Sequence, residues 1–363
     1  MKASVGIITF HHANNYGAVL QAYALSRYIQ SCGYEPKIID YRPIYLHDTY
    51  RKVNWKALGL THPVKWRACR NFDTFRDEHL RLTSQFFKTC DEMKKNLPIF
   101  DSYVCGSDQI WNPNLTFDEL DPAFFLEFAP KSSRRISYAA SFGMEKLPTK
   151  YLETFKNLSG NLDYISVREK SGASIIKKVL GIQPQHVVDP TLLMADLKSF
   201  GSRRSIKIGS PYILFFRLKK ESNIYNVVSA LREKIDTRIL TITQNAKFWQ
   251  EPGEKYLNPD PSTWIELFKN ASGIITNSFH ATIFALLFKK PFISVKLTGE
   301  NTGKNSRISE LLAKVGLSNR FVDNHTNQSV DEIFLEKIDW DYVFSSLESL
   351  RKDSEEFLKN SLP

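Results

Sequence analysis

The amino-acid sequence predicts an α/β protein of two domains with parallel sheets, on three observations. Its 363 residues exceed one domain of ordinary size and suffice for two, each burying its own core. The first forty residues read as strand, helix, strand. After a polar, basic stretch at 196–209 (Lys198, Arg203, Arg204, Lys207), which reads as a linker, a second series of short apolar strands alternates with helical patterns. The expected division is 1–195 and 196–363, the C-terminal helix going with the second domain.

In the first domain Val5 to Phe10 is a buried strand, His11 to Tyr16 a polar loop, and about Gly17 to Ser31 a helix. Gly33 and a second strand, Pro36 to Asp40, follow, and the helical crossover makes the two strands parallel. The aromatic-rich segment Ala57 to Leu82 reads as a helical insertion packed on the sheet. Strands at Ser102 to Cys105 and Arg135 to Ala140 end in Gly106-Ser107-Asp108 and Ser141-Phe142-Gly143. Tyr164 to Val167 leads through Arg168-Glu169-Lys170-Ser171 into a helix to about Leu180, then a short strand before Asp189-Pro190-Thr191.

The second domain has strands at Tyr212 to Phe216, Thr237 to Ile242, Gly273 to Thr276 and Pro291 to Val295. Helices are expected near Asn223 to Lys234, Pro261 to Lys269, His280 to Phe288 and Ser306 to Val315. A last helix, about Trp340 to Lys359, gathers Trp340, Val343, Phe344, Leu347, Leu350 and Phe357 near one face. It either runs back to the first domain or caps the second.

A content of 42% hydrophobic and 24% charged residues excludes a disordered chain. Lysine and arginine exceed the acids by 49 to 39, and the net charge of +10 favours anionic partners: phosphates, acidic sugars, nucleic acid or an anionic membrane face. Basic residues cluster only in pairs such as Arg134-Arg135, Lys177-Lys178 and Lys289-Lys290, which argues against nucleic acid. Cys32, Cys69, Cys90 and Cys105 form no CxxC pair, so neither a zinc site nor a disulfide framework is expected. The apolar run Val5 to Phe10 is too short for a signal peptide, and no stretch is long enough to span a bilayer. A cytoplasmic protein is expected, with peripheral contact at the membrane's inner face still compatible.

Ligands of open parallel sheets gather where strands end and helices begin, because helix N-termini offer unpaired N–H groups and the positive end of the dipole. Thr276-Asn277-Ser278-Phe279-His280 is the leading loop: Asn277 or Ser278 caps the helix, and His280 falls in its first turn. The dipole there disfavours imidazolium and leaves a neutral base near neutral pH; alternatively His280 only hydrogen-bonds a carbonyl. Arg168 either grips a phosphate or carboxylate with both prongs or pairs with Glu169 or another acid. Asn15 and Gly17 open the first helix, where a tight turn is the simpler explanation. Asp108, in Gly106-Ser107-Asp108, accepts from sugar hydroxyls or caps a turn. Lys304 and Arg307 lie in or beside a Gly- and Asn-rich loop, Thr298 to Ser306, suited to moving over a ligand. His11, His12 and Arg217 flank strand ends and rank lower. No metal-ligand cluster is visible in the sequence.

Taken in order, these loops resemble the polysaccharide pyruvyl transferase family. The resemblance rests on Gly6 to Phe10 with Asn14 to Gln21, Gly106 to Asn112, Ser137 to Ser141, Ser166 to Glu169 with Ser171, Asp189 to Thr191, and Thr276 to Ala281. It implies a glycosyltransferase-B-like pair of Rossmann-like domains. It also implies transfer of pyruvate from phosphoenolpyruvate, the co-substrate, onto a sugar as a ketal, with no metal or cofactor. The acceptor implied is a cell-surface polysaccharide or its lipid-linked precursor, with the first domain on the acceptor side. By the same resemblance Arg168 and His280 are the catalytic pair, and the reading rests on the expectation that the two converge on one anion. Asn277, Ser278, Lys304 and Arg307 join Arg168 on the donor; Lys304 fits the family's downstream basic residue, with Lys296 and Arg307 behind it. Asn15, Gly17, Gly106, Ser107 and Asp108 fall on the acceptor side. Two departures stand out: Ser278 where many relatives have arginine, and Ala18 where others have an acid. A nucleotide-sugar glycosyltransferase, or a catalytically silent subunit of a polysaccharide assembly complex, are the rival readings.

Overall fold

The computed structural model describes residues 2–51, 61–194, 209–244, 248–323 and 329–363. Two compact units emerge: Met1–Lys52 with Arg76–Ala195 and Glu348–Pro363, and Val53–Phe75 with Asp196–Leu347. This packing differs from a single cut at 195/196 in two segments, because the C-terminal end goes with the first unit and 53–75 with the second. The cause at the C-terminus is local burial. Phe357, Leu358 and Leu362 are buried there, the Val188 N–H donates to Ser354 Oγ at 2.9 Å, and Arg351 donates to the Leu192 carbonyl. The expected linker falls almost wholly outside the described residues.

In chain order the first sheet and its helices are β1 (Ser4–Ile8), α1 (Tyr16–Ser31), β2 (Glu35–Tyr41), a short α2 (Ile44–Leu46), α3 (Thr61–His79), β3 (Leu82–Phe87) and α4 (Cys90–Asn96). Then come β4 (Ser102–Cys105), β5 (Arg134–Ala140), α5 (Leu152–Ser159), β6 (Tyr164–Val167), α6 (Lys170–Leu180) and β7 (Gln185–His186). All pairings are parallel, in the order β3-β2-β1-β4-β5-β6-β7. Central strands read as unbroken apolar runs because both faces are covered; Val5, Ile7 and Ile8 are wholly buried. The segment expected as an insertion is corrected in its described part: α3 is the crossover to β3. As an edge strand β3 carries Thr83, Ser84 and Gln85 and exposes Phe86, so its pattern is not that of a buried strand.

The second unit continues with β8 (Tyr212–Phe216), α7 (Ser222–Lys234), β9 (Arg238–Thr243), β10 (Glu254–Leu257), α8 (Pro261–Asn270), β11 (Gly273–Thr276) and α9 (Phe279–Leu287). It ends with β12 (Phe292–Val295), α10 (Asn305–Lys314), β13 (Phe321–Val322), α11 (Val330–Leu335) and α12 (Trp340–Ser361), the last closing in the first unit's segment. Its sheet is also parallel, in the order β10-β9-β8-β11-β12-β13. Each unit therefore has Rossmann-like winding, with the order reversing beside its first strand. That reversal opens a crevice at the strands' carboxyl ends, between β1 and β4 in one unit and between β8 and β11 in the other.

One backbone position at the first crevice admits only glycine. Gly106 has φ +112°, and a Cβ added there would lie 2.1 Å from the Tyr138 carbonyl oxygen. Gly106→Ala is expected to cost about 2–3 kcal/mol of unfolding free energy. Urea denaturation measures it, and a midpoint equal to that of the parent chain would refute the constraint.

Candidate active site

At the carboxyl end of the first sheet, residues from loops far apart in sequence form one buried hydrogen-bond network. Thr9 Oγ1 donates to the Ser107 carbonyl at 2.9 Å, and Gln21 Nε2 donates to Thr9 Oγ1 at 2.8 Å. Gln21 Oε1 accepts from the Ser107 N–H at 3.1 Å, so one amide side chain on α1 holds both the β1 and the β4 loops. Ser107 Oγ lies 3.1 Å from the Ala139 carbonyl and 3.4 Å from Asp189 Oδ2. Ser141 N donates to the Asp108 carbonyl at 3.0 Å.

Arg168, just past β6, enters this network. Nη1 donates to Asp189 Oδ2 at 2.6 Å and to Ser107 Oγ at 3.4 Å. Asp108 Oδ1 lies 3.6 Å from Nη2, and Glu169 Oε2 lies 3.8 Å from Nε. Burial pulls this guanidinium's pKa down, but the carboxylates of Asp189, Asp108 and Glu169 outweigh it and hold it above its ordinary value. Asp189 Oδ1 is taken by the Thr191 N–H and hydroxyl at 3.0 and 2.7 Å. Glu169 Oε1 accepts from Ser141 Oγ at 2.6 Å and from the Phe142 N–H at 3.2 Å. Of the two sequence readings of Arg168, the geometry supplies the ion pair, with Asp189 rather than Glu169 as the closest acid.

Asn15 caps α1, its side chain accepting from Ala18 N at 3.3 Å, and Gly17 is buried in the helix's first turn. Ala18 is 2% exposed within the core, so an acid at that position would be buried among apolar groups.

In the second unit, Ser278 is the N-cap of α9, accepting from Ala281 N at 3.4 Å, and its own N–H donates to Thr276 Oγ1 at 3.0 Å. An arginine there could not cap, which gives Ser278 a structural reason. Asn277 ties the crevice together: its Oδ1 accepts from Leu218 N at 2.7 Å, and its Nδ2 donates to the Lys219 carbonyl at 2.8 Å. The loops after β8 and β11 are thus joined at the point of strand reversal. His280 sits in the first turn of α9, buried, with its ring 5.3 Å from that of Phe279. The Arg307 guanidinium lies over the same Phe279 ring at 5.4 Å.

Lys304 joins this cationic neighbourhood. Its pKa lies below the ordinary lysine value, through burial first and then through Lys219 and Arg307, with Glu221 opposing. Its Nζ donates to Asn301 Oδ1 at 3.0 Å. The segment expected as a mobile loop is pinned instead. Residues Gly299–Lys304 form a 3-10 turn, Asn305 bonds both the N–H and the carbonyl of Leu297, and Thr298 donates to Glu221. Lys296 pairs with Asp323 at 2.8 Å, and Arg217 is tied to the buried Glu251.

The residues expected to act on the donor and acceptor thus fall into two sets. Asn15, Gly17, Gly106, Ser107, Asp108 and Arg168 line the first unit's strand ends; Asn277, Ser278, His280, Lys304 and Arg307 line the second's. Lys219 escaped the sequence reading, although its place just beyond the strand Tyr212 to Phe216 was the available signal. The low-ranked His11 and His12 join Asp40, which the sequence reading passed over, in a group whose potential metal-ligand atoms lie within 4.8 Å of one another. Adjacent strands β1 and β2 bring them together across a long sequence separation. The Asp40 carboxylate already accepts from Arg42 at 2.8 and 2.7 Å and contacts His11 Nε2 at 3.2 Å, an arrangement that suits an ion pair better than a cation.

No curated protein matches the chain. Among solved structures it is similar to a UDP-GlcNAc 2-epimerase from Neisseria meningitidis bound to UDP-GlcNAc, at 12% identity and TM-score 0.50, covering 99% of this chain and 100% of that one. It is also similar to a UDP-N-acetylglucosamine 2-epimerase from Rickettsia bellii, at 11% identity and TM-score 0.54, covering 99% and 96%. At such identities the likeness is one of fold, the glycosyltransferase-B-like pairing of Rossmann-like units. The family model for polysaccharide pyruvyl transferase matches residues 15–297, from the cap of α1 to just beyond β12, taking in Arg168 and His280. With most of its length matched, this chain belongs to the polysaccharide pyruvyl transferase family.

Proposed function

We propose that the protein transfers pyruvate from phosphoenolpyruvate onto two hydroxyls of a sugar, forming a ketal and releasing phosphate. The observation that carries this reading is the placement of His280 in the first turn of a capped helix, against the Phe279 ring that Arg307 also covers, with Lys304 within electrostatic reach of Arg307 and Lys219. An imidazole in the same crevice as clustered cations suits proton transfer on a multiply charged anion.

Protonation of the methylene carbon of phosphoenolpyruvate leaves C2 electron-poor. One sugar hydroxyl bonds to C2 and gives up its proton; the C2–O bond to phosphate breaks and phosphate departs. The second hydroxyl then bonds to C2 and loses its proton, closing the ketal. In this reading His280 shuttles protons, while Lys304 and Arg307 hold the donor's phosphate and carboxylate with Lys219 nearby. Asn277 and Ser278 fix the loop. Arg168 holds Ser107 and Asp108 in place on the acceptor side through Asp189, rather than spending its charge on the donor. The acceptor is a cell-surface polysaccharide or its lipid-linked precursor. Neither unit needs a metal for these steps.

His280→Ala should lower phosphate release from phosphoenolpyruvate plus a glycoside acceptor by about 10² to 10⁴ and leave thermal unfolding nearly unchanged. Normal turnover in that variant would overturn the assignment, and sugar addition from a nucleotide donor would select a glycosyltransferase instead.

Lys304 gives a pH-dependent prediction. Only its protonated form attracts the donor, and its lowered pKa brings deprotonation to lower pH than for an ordinary lysine. The KM for phosphoenolpyruvate should therefore begin to rise at a pH where Lys304→Arg still binds well. Superimposable pH profiles for the two proteins would contradict the role.

A further inference from the structure

The first unit also contains a cavity of about 580 Å³ on the β2 side of the loops described above, sharing His12 with them. It opens at the carboxyl ends of β1, β2 and β3, and its volume falls in the range of small-ligand sites. Its basic side chains come from all three strand ends: His12 after β1, Arg42 and His47 after β2, and Lys88 after β3. Among the described residues no carboxylate lines it. The nearby acids are engaged otherwise, Asp48 with His47 at 3.3 Å and Glu92 with the Lys88 N–H at 2.6 Å.

Arg42 is held for use. Asp40 takes its Nε and Nη2, and His11 braces the same carboxylate, whose pKa is lowered because hydrogen bonds from His11 and Arg42 outweigh its burial. Nη1 has no partner among the described residues. Ile44 and Phe86, at 67% and 48% exposure, form the apolar wall, and the Arg42 guanidinium lies over the Phe86 ring at 4.9 Å. An oriented guanidinium with a lysine nearby suits a phosphate, while the remaining volume and the apolar wall suit a sugar ring carrying it.

We propose that this cavity binds a phosphorylated sugar, as the charged end of the acceptor. Its assignment to the acceptor rests on the pyruvyl-transfer reading; binding itself does not. The test is calorimetric titration of the full chain with glucose 1-phosphate, N-acetylglucosamine 1-phosphate, glucose and inorganic phosphate. A sugar phosphate should bind more tightly than glucose or phosphate alone, and Lys88→Glu should weaken it at least about tenfold, with affinity falling as salt rises. Lys88 is chosen because Arg42→Met would strand the buried Asp40; Phe86→Ala is the second variant and should also weaken binding.

The proposal is overturned if neither sugar phosphate outbinds the two controls, or if both variants bind as the parent does. Sugar-phosphate binding that Lys88→Glu abolishes, in a protein that never releases phosphate from phosphoenolpyruvate, would keep the cavity and remove the transfer reading. Working transfer with an unchanged KM for a phosphorylated acceptor in Lys88→Glu would keep the reading and remove the cavity.

Discussion

The carboxyl end of the first sheet depends on one buried ion pair, Arg168 with Asp189. The arginine's side chain is 2% exposed and the aspartate's is 0%, so each charge has given up its water. Such desolvation costs several kcal/mol per ion, and it is offset only where the remaining donors and acceptors are also met. Here Thr191 fills Asp189 Oδ1, Ser107 Oγ lies 3.4 Å from Nη1, and the charges of Asp108 and Glu169 stand at 3.6 and 3.8 Å from the guanidinium. The pair therefore joins the β6 and β7 ends to Ser107 after β4, and through Gln21 and Thr9 to β1 and α1. Sequence segments that look like separate motifs are the parts of one network.

The second unit spends its polar groups differently. Ser278 caps α9 and Asn277 staples two loops, so both are spent on local structure. At Lys304, burial and two neighbouring cations make the charge costly, a cost that a bound anion would relieve. The Arg168 network in one unit has its charge matched by acids, whereas the crevice of the other gathers Lys219, Lys304 and Arg307.

Much of this was legible in the sequence for a simple reason. Central parallel strands such as Ser102–Cys105 and Gly273–Thr276 are covered on both faces and appear as apolar runs, so their ends, and the loops beyond them, could be located. Edge strands β3 and β10 were not legible because partial exposure breaks up such a run, and β13, buried but two residues long, is too short to show one. His280 was placed by its capping residue. What Arg168 faces was not, since the spacing between Arg168 and Asp189 does not say that β6 and β7 lie side by side with both side chains turned inward. The same limit hid Asp40 beneath Arg42 and His11, where neighbouring strands make partners of residues that the sequence keeps apart.

Arg168 separates a scaffold from a ligand grip most directly. Replacing it with leucine leaves Asp189 buried and unpaired, which should lower the unfolding free energy by about 3–5 kcal/mol in urea denaturation without any ligand present. An unfolding curve unchanged from that of the parent chain would contradict the scaffold and return the guanidinium to the donor.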